Sequence, residues 1–298
     1  MAESFLDRLK KGETLILDGA MGTELQKLGI EAGGCGDRWN LDAPDKVKAV
    51  HKAYLDAGSD IIISNTFGSS TLRLRHYDLQ DKMVEMNKAG AKLARSVLPD
   101  NRHYVFGDVG PSGEILETSG GTAIYDDLYK VFKAQILALK DGGVDAIIIE
   151  TMIALDEITC AVRAAKENTD LPVVASMTFF PGNFGYKTMM GIDPETCVTE
   201  LSASGADVVG TNCGDCTIEH MIKVIAQMKK AKPDALLMAE PNAGIPTLVG
   251  IKAVYKETPE QMAKLYPDLV KAGANIVGGC CGTSPAHIKA LAKAIGRG

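Results

Sequence analysis

The sequence predicts a closed (β/α)8 TIM barrel folded as a single domain over residues 1–298. Three observations carry that prediction. Eight short apolar runs rich in Val and Ile recur along the chain, longer amphipathic stretches separate them, and a glycine-containing turn returns before every second run.

The runs occupy residues 14–18, 60–66, 103–108, 146–151, 173–178, 207–212, 235–241 and 275–281. Their near-continuous hydrophobicity suits parallel strands buried on both faces, and the intervals leave room for crossover helices. Residues 153–168 and 260–272 show helical spacing most clearly, and Pro267 is expected to kink the second. The turns read AGSD (57–60), GGVD (142–145), SGAD (204–207) and AGAN (272–275). A Gly just past a helix end is the usual left-handed cap, so each marks a helix-to-strand connection in a repeated βαβα unit. The rival is an open doubly wound sheet, which announces itself with G-x-G-x-x-G after its first strand. Here Gly19-Ala20-Met21-Gly22 breaks that spacing. No Pro-rich or Gly/Ser-rich linker divides the chain, and residues 33–40 (GGCGDRWN) are long enough for a lid or a short hairpin.

Composition narrows the functional classes. The net charge of −6 is not concentrated in any long block, which argues against a nucleic-acid partner. No stretch approaches the roughly 20 apolar residues needed to span a bilayer. The start, MAESFLDRLKKGE, lacks the apolar core of a signal peptide. The expected setting is therefore cytoplasmic, with no membrane partner. There, seven cysteines, two of them adjacent, point to thiol or metal chemistry rather than a disulfide framework.

In a barrel of this kind the reactive groups gather where strands run into the following loops. Cys213 ends the sixth run, while Cys280 and Cys281 end the eighth, with a single strand between them around the ring. Three thiolates converging there suit Zn²⁺, which with three protein ligands keeps a fourth position open. Adjacent cysteines normally face opposite sides of a strand, so the bend allowed by Gly278, Gly279 and Gly282 is required. Spacing alone leaves a second reading open, in which Cys213 and Cys280 are small core residues. A third adds Cys216 to make a closed structural site of four cysteines. Cys35, Cys160 and Cys197 have no apparent partners.

Asp18 and Glu150 end the first and fourth runs, where a charge must meet a ligand, a backbone donor or water. Either they recognise a ligand ammonium or they cap their own loops. The backbone amides of Gly19, Ala20 and Met21 open a helix and can receive a carboxylate. Asn65 and Thr66 offer polar contacts near the same mouth. His51, His220 and His287 fall on helical stretches and read as surface or packing residues. No strand end carries a Lys, which disfavours a Schiff-base aldolase.

The segments LILDGAMGTEL (15–25), DRWN (37–40), NTFG (65–68), GPSGE (110–114), IIIET (147–151), TNCG (211–214), PNAGIP (241–246) and GGCCGTSPAHI (278–288) together resemble the zinc-dependent homocysteine S-methyltransferase family. That family includes the homocysteine-binding module of cobalamin-dependent methionine synthase and the betaine and S-methylmethionine enzymes. The likeness runs from about residue 15 to 288. It implies Zn²⁺ on the cysteines matching Cys213, Cys280 and Cys281, and a substrate ammonium near Asp18 and Glu150. Chemistry agrees with this: a free thiol is little ionised at neutral pH, whereas a zinc-bound one is a thiolate ready for in-line attack on a methyl group.

The expected reaction is therefore methyl transfer to homocysteine, or a related thiol, to give methionine. No D-x-H-x-x-G of a cobalamin module is present, so the donor is expected to come from outside this barrel, with a separate corrinoid protein or methylcobalamin as the first expectation. Alternatives are a small donor such as S-methylmethionine or betaine, a corrinoid-linked transfer from another methylated substrate, and a non-catalytic zinc- or thiol-binding barrel. Residues 177–191 look more like the cobalamin-associated branch. Phe179, Phe180 and Tyr186 there are expected either to rim a docking surface or to pack within their own loop.

Overall fold

The eight runs become eight parallel strands arranged in chain order around a ring. They are β1 (Leu15–Ile16), β2 (Ile61–Ile63), β3 (Tyr104–Val109), β4 (Ala146–Met152), β5 (Val173–Met177), β6 (Val208–Asn212), β7 (Leu237–Glu240) and β8 (Ala274–Val277). The computed structural model describes residues 3–31, 33–250 and 252–297. Ladder pairing runs from β2 through β8 and on to β1, where Leu15 faces Ile276. The seam between β1 and β2 is closed by single bonds. Asp60 N–H donates to the Ile16 carbonyl at 2.7 Å, and Ile63 N–H donates to the Asp18 carboxylate at 3.0 Å.

Inward-facing Leu15, Leu17, Phe106, Ile148, Val174, Met238 and their neighbours fill the lower barrel as one apolar plug. Helix Phe5–Lys10, which has no counterpart in the sequence reading, closes this plug from below. Its Phe5 ring lies 4.8 Å from that of Phe106. A second, larger layer packs between the strands and the outer helices.

The four glycine turns share one device. Gly58, Gly143, Gly205 and Gly273 all have positive φ, between 88° and 121°. In each turn the residue two positions on, an Asp or Asn, reaches back to a backbone N–H at the start of another strand. Asp60 accepts from Ile16 at 2.8 Å, Asp145 from Val105 at 2.7 Å, Asp207 from Val173 at 2.8 Å and Asn275 from Leu237 at 2.9 Å. An N–H at a strand's start is easily left without a ladder partner, and a short side-chain acceptor satisfies it. Asp60 also receives both Arg8, at 3.0 Å, and Arg297, at 2.7 Å, tying the first helix and the C-terminal segment to the barrel floor.

Local details differ from expectation. Residues 260–272 form two helices, Pro259–Ala263 and Tyr266–Lys271. Pro267 sits in the first turn of the second, where its missing N–H costs nothing, so it starts a helix instead of kinking one. Residues 33–40 form neither lid nor hairpin; a 3-10 turn (Gly36–Arg38) leads into a short helix (Trp39–Asp42). Two hairpins stand beyond the strand ends, pairing Phe180–Gly182 with Gly185–Lys187 and Thr247–Val249 with Lys252–Val254. Arms of three residues are too short to show a period. Among the described residues, no helix is long and apolar enough to cross a membrane.

Candidate active site

The strand order brings the cysteines together. Cys213 follows β6, Cys280 and Cys281 follow β8, and the last residue of β7 with the loop leaving it is bonded to both segments. Cys213 N–H reaches the Glu240 carbonyl at 3.3 Å, Cys280 N–H reaches that of Pro241 at 2.9 Å, and Ala243 N–H reaches that of Cys281 at 2.9 Å. The three sulfurs lie within 4.8 Å of one another, with Cys213 and Cys281 only 3.9 Å apart. Tetrahedral coordination with the usual zinc–sulfur bond sets neighbouring sulfurs about 3.8 Å apart. The trio therefore fits one soft metal ion.

The bend that aims both neighbouring sulfurs depends on Gly282, at φ +80°. A Cβ there would fall 2.2 Å from the Tyr255 ring, so that ring lies directly on the glycine. The ring thereby lies beside Cys281, the residue next to that glycine. The neighbouring thiols of Cys213 and Cys280 hold the Cys281 thiol below the usual thiol range. Cys216 stays outside, its thiol directed at the Phe179 carbonyl at 3.2 Å. Cys160 and Cys197 are buried and Cys35 half-buried.

Below the sulfurs lies a polar layer. Two residues along from Phe106, Ile148, Val174 and Met238, the inward positions become Asp108, Glu150, Ser176 and Glu240; Asn212 completes the set on β6. Burial drives Asp108 and Glu240 well above the usual carboxylate range, with the charge of Glu150 adding to the effect. Burial and then the neighbouring Cys213 charge carry Glu150 to about 7. Asp18, also buried, is raised despite accepting from Ile63. Asp108 Oδ1 and Glu240 Oε2 have no hydrogen-bond partner among the described residues. Glu150 is held by Asn212 Nδ2, and Thr151 beyond it has φ +62°.

The other expected contacts are partly committed elsewhere. Ala20 N–H donates to the Thr283 hydroxyl at 3.2 Å, joining the loop of Gly19, Ala20 and Met21 to the loop after β8. Asn65 donates to the Gly36 carbonyl at 2.9 Å and to Asn40 at 3.1 Å, while Thr66 donates to the Asp108 carbonyl at 2.9 Å. Asp37 accepts from Gly68 at 3.0 Å and Ser69 at 2.9 Å. The DRWN and NTFG segments thus interlock as one wall of the mouth. Phe179 is fully buried and not on the rim, and Tyr186 packs against His220 with ring centroids 5.8 Å apart. The exposed apolar side chains include Phe184 at the hairpin tip, Met189 just beyond that hairpin and Leu248 on the other one. His220 and His287 cap their own helices, and His51 is buried in packing.

Asp108, Asn212, Glu240 and Tyr255 were not singled out from the sequence. Period-two alternation offers a signal for three of them, because each stands in register with an inward-facing apolar residue of its own strand.

The profile of the homocysteine S-methyltransferase family matches residues 15–295. The chain belongs to that family. A methionine synthase of Mycobacterium tuberculosis is 32% identical over 94% of this chain, and the match spans 24% of that relative's length. The chain thus corresponds to about a quarter of the curated relative. The homocysteine methyltransferase MmuM of Escherichia coli superposes in an oxidized form with TM-score 0.79, at 23% identity, over 96% of this chain and 97% of that one. Its metallated form gives 0.77, at 23% identity, over 95% and 96%. Homocysteine S-methyltransferase folds of this kind are TIM barrels, and the present one follows that plan.

Proposed function

We propose that this chain transfers a methyl group to the thiol of homocysteine, giving methionine, with Zn²⁺ held by Cys213, Cys280 and Cys281. The convergence of three sulfurs beside buried carboxylates at one barrel mouth carries this reading. When bound, Zn²⁺ supplies the positive charge that keeps a coordinated thiol ionised near neutral pH. Asp18 and Glu150 bind the substrate ammonium, which relieves the cost of burying their own charge. The amides of Gly19 and Met21 receive the substrate carboxylate, while that of Ala20 ties their loop to the Thr283 hydroxyl, and Asn65 and Thr66 hold the wall beside them. Burial of the polar layer excludes water from the attacking sulfur.

For the donor we favour methylcobalamin on a separate corrinoid protein. The methionine synthase relative supports this, as do the exposed Phe184, Met189 and Leu248 at the mouth. S-methylmethionine and betaine are the competing donors. The test is zinc-loaded protein incubated with homocysteine and each donor in turn. Methionine formed with methylcobalamin or a methylated corrinoid protein is expected. Turnover only with a small donor would replace the donor assignment, and none with any donor would leave a thiol-binding barrel.

A further inference from the structure

Asn212 touches both ends of the proposed substrate site. It is fully buried at the end of β6. Its Oδ1 accepts from the Thr151 backbone N–H at 3.0 Å and from the Ser176 hydroxyl at 2.7 Å. A backbone N–H can only donate, so the carboxamide cannot be turned over. Its Nδ2 therefore faces the other way, donating to the Glu150 carboxylate and to Thr151 Oγ1 at 2.8 Å, and lying 3.9 Å from Cys280 Sγ. One planar group thus bridges the carboxylate meant for the ammonium and a sulfur meant for the metal.

The backbone around it is unusual. Among the described residues, three other than glycine have positive φ, and two of them, Thr151 at 62° and Cys213 at 58°, directly follow Glu150 and Asn212. A β-branched residue holds that conformation only when its surroundings enforce it. Asn212 does so for Thr151 by bonding its N–H and its hydroxyl at once. Glu150 and Cys280 are thereby set relative to each other through a single rigid amide.

We propose that Asn212 is a positioning residue that fixes the separation between the ammonium and sulfur ends of the site. In this way it selects homocysteine over cysteine, the amino thiol one methylene shorter. This rests on the amino-thiol site proposed above. Homocysteine spans the two ends, whereas cysteine engages one at a time. One methylene is worth about 10- to 200-fold in discrimination.

The test is calorimetric titration of zinc-loaded protein with L-homocysteine and L-cysteine, without methyl donor, alongside metal analysis. Wild type should prefer homocysteine by about tenfold or more. Asn212→Asp keeps the acceptor for Thr151 but sets an oxygen against Glu150. It should retain zinc while its preference falls to within about threefold. Ser176→Ala frees one side of the amide and should give an intermediate loss, which keeps the test decisive if the Asp variant does not fold. An unchanged preference in a folded, zinc-bound variant overturns the inference, as does equal binding of both thiols by wild type. Binding of neither thiol by wild type overturns the proposed substrate itself.

Discussion

Cys213 and Cys281, 68 positions apart in the chain, bring their sulfur atoms to 3.9 Å. Neither lies in a strand; both depend on the end of β7 and the loop that follows it, whose backbones bond to the two segments. Replacing one ligand should therefore remove the metal while leaving the barrel standing. Cys280→Ser is expected to lose stoichiometric zinc with a small change in melting temperature. Cys216→Ser, whose thiol points at the Phe179 carbonyl, should keep its zinc. Metal analysis of both variants distinguishes the three-sulfur site from a four-sulfur one.

Glu150→Gln removes a charge but not the shape. A hydrogen bond to a charged group is worth about 1.5–3 kcal/mol, so homocysteine affinity should fall about 10- to 100-fold with zinc content unchanged. Titration calorimetry reads this directly, and an unaltered affinity would remove Glu150 from the ammonium site.

The floor of the barrel predicts a graded series. Asp207→Ala deletes one acceptor at the start of β5 and should cost about 1–2 kcal/mol. Asp60→Ala also takes from Arg8, whose side chain is only 2% exposed, the buried one of its two carboxylate partners, leaving Glu13, and should cost more, up to about 3–5 kcal/mol. Chemical denaturation of the two variants would show the difference, and equal losses would mean that the arginines contribute nothing.

His51 gives a pH dependence. It is fully buried with neither ring nitrogen paired among the described residues, and burial lowers its pKa from 6.5 to about 4. The unfolded chain takes up the proton first, so this contribution is complete above about pH 6.5 and is lost as pH falls toward 4, by about 3 kcal/mol. The raised carboxyls of Asp18, Asp108 and Glu240 act in the opposite sense, so the comparison must be with a variant. The loss in melting temperature between pH 7 and 5 should be smaller for His51→Leu than for wild type. Parallel curves would refute this.

The strands and the three cysteines were legible because both signals are local: runs of Val and Ile, and thiols at the ends of those runs. The repeated Gly-x-Asp or Gly-x-Asn turn was legible as a pattern, but not its purpose, which needs a side chain to meet a strand more than thirty residues away. Glu240 and Asn212 were hidden for a related reason. Their importance comes from facing inward at the level of Glu150, which strand register decides and composition does not. The aromatics of residues 177–191 show the limit of reading a loop. Phe179 and Phe184 look alike in sequence, yet Phe179 is fully buried in the core while Phe184, at the hairpin tip, is 93% exposed.

The four Asp and Asn clamps lie at the end of the barrel remote from the three clustered sulfurs. Anchorage and chemistry are thus housed at opposite poles, and substitutions at one need not be compensated at the other. Such a barrel is a chassis: whole mouth loops, hairpins included, can be exchanged to suit a different methyl donor while the floor carries on unchanged.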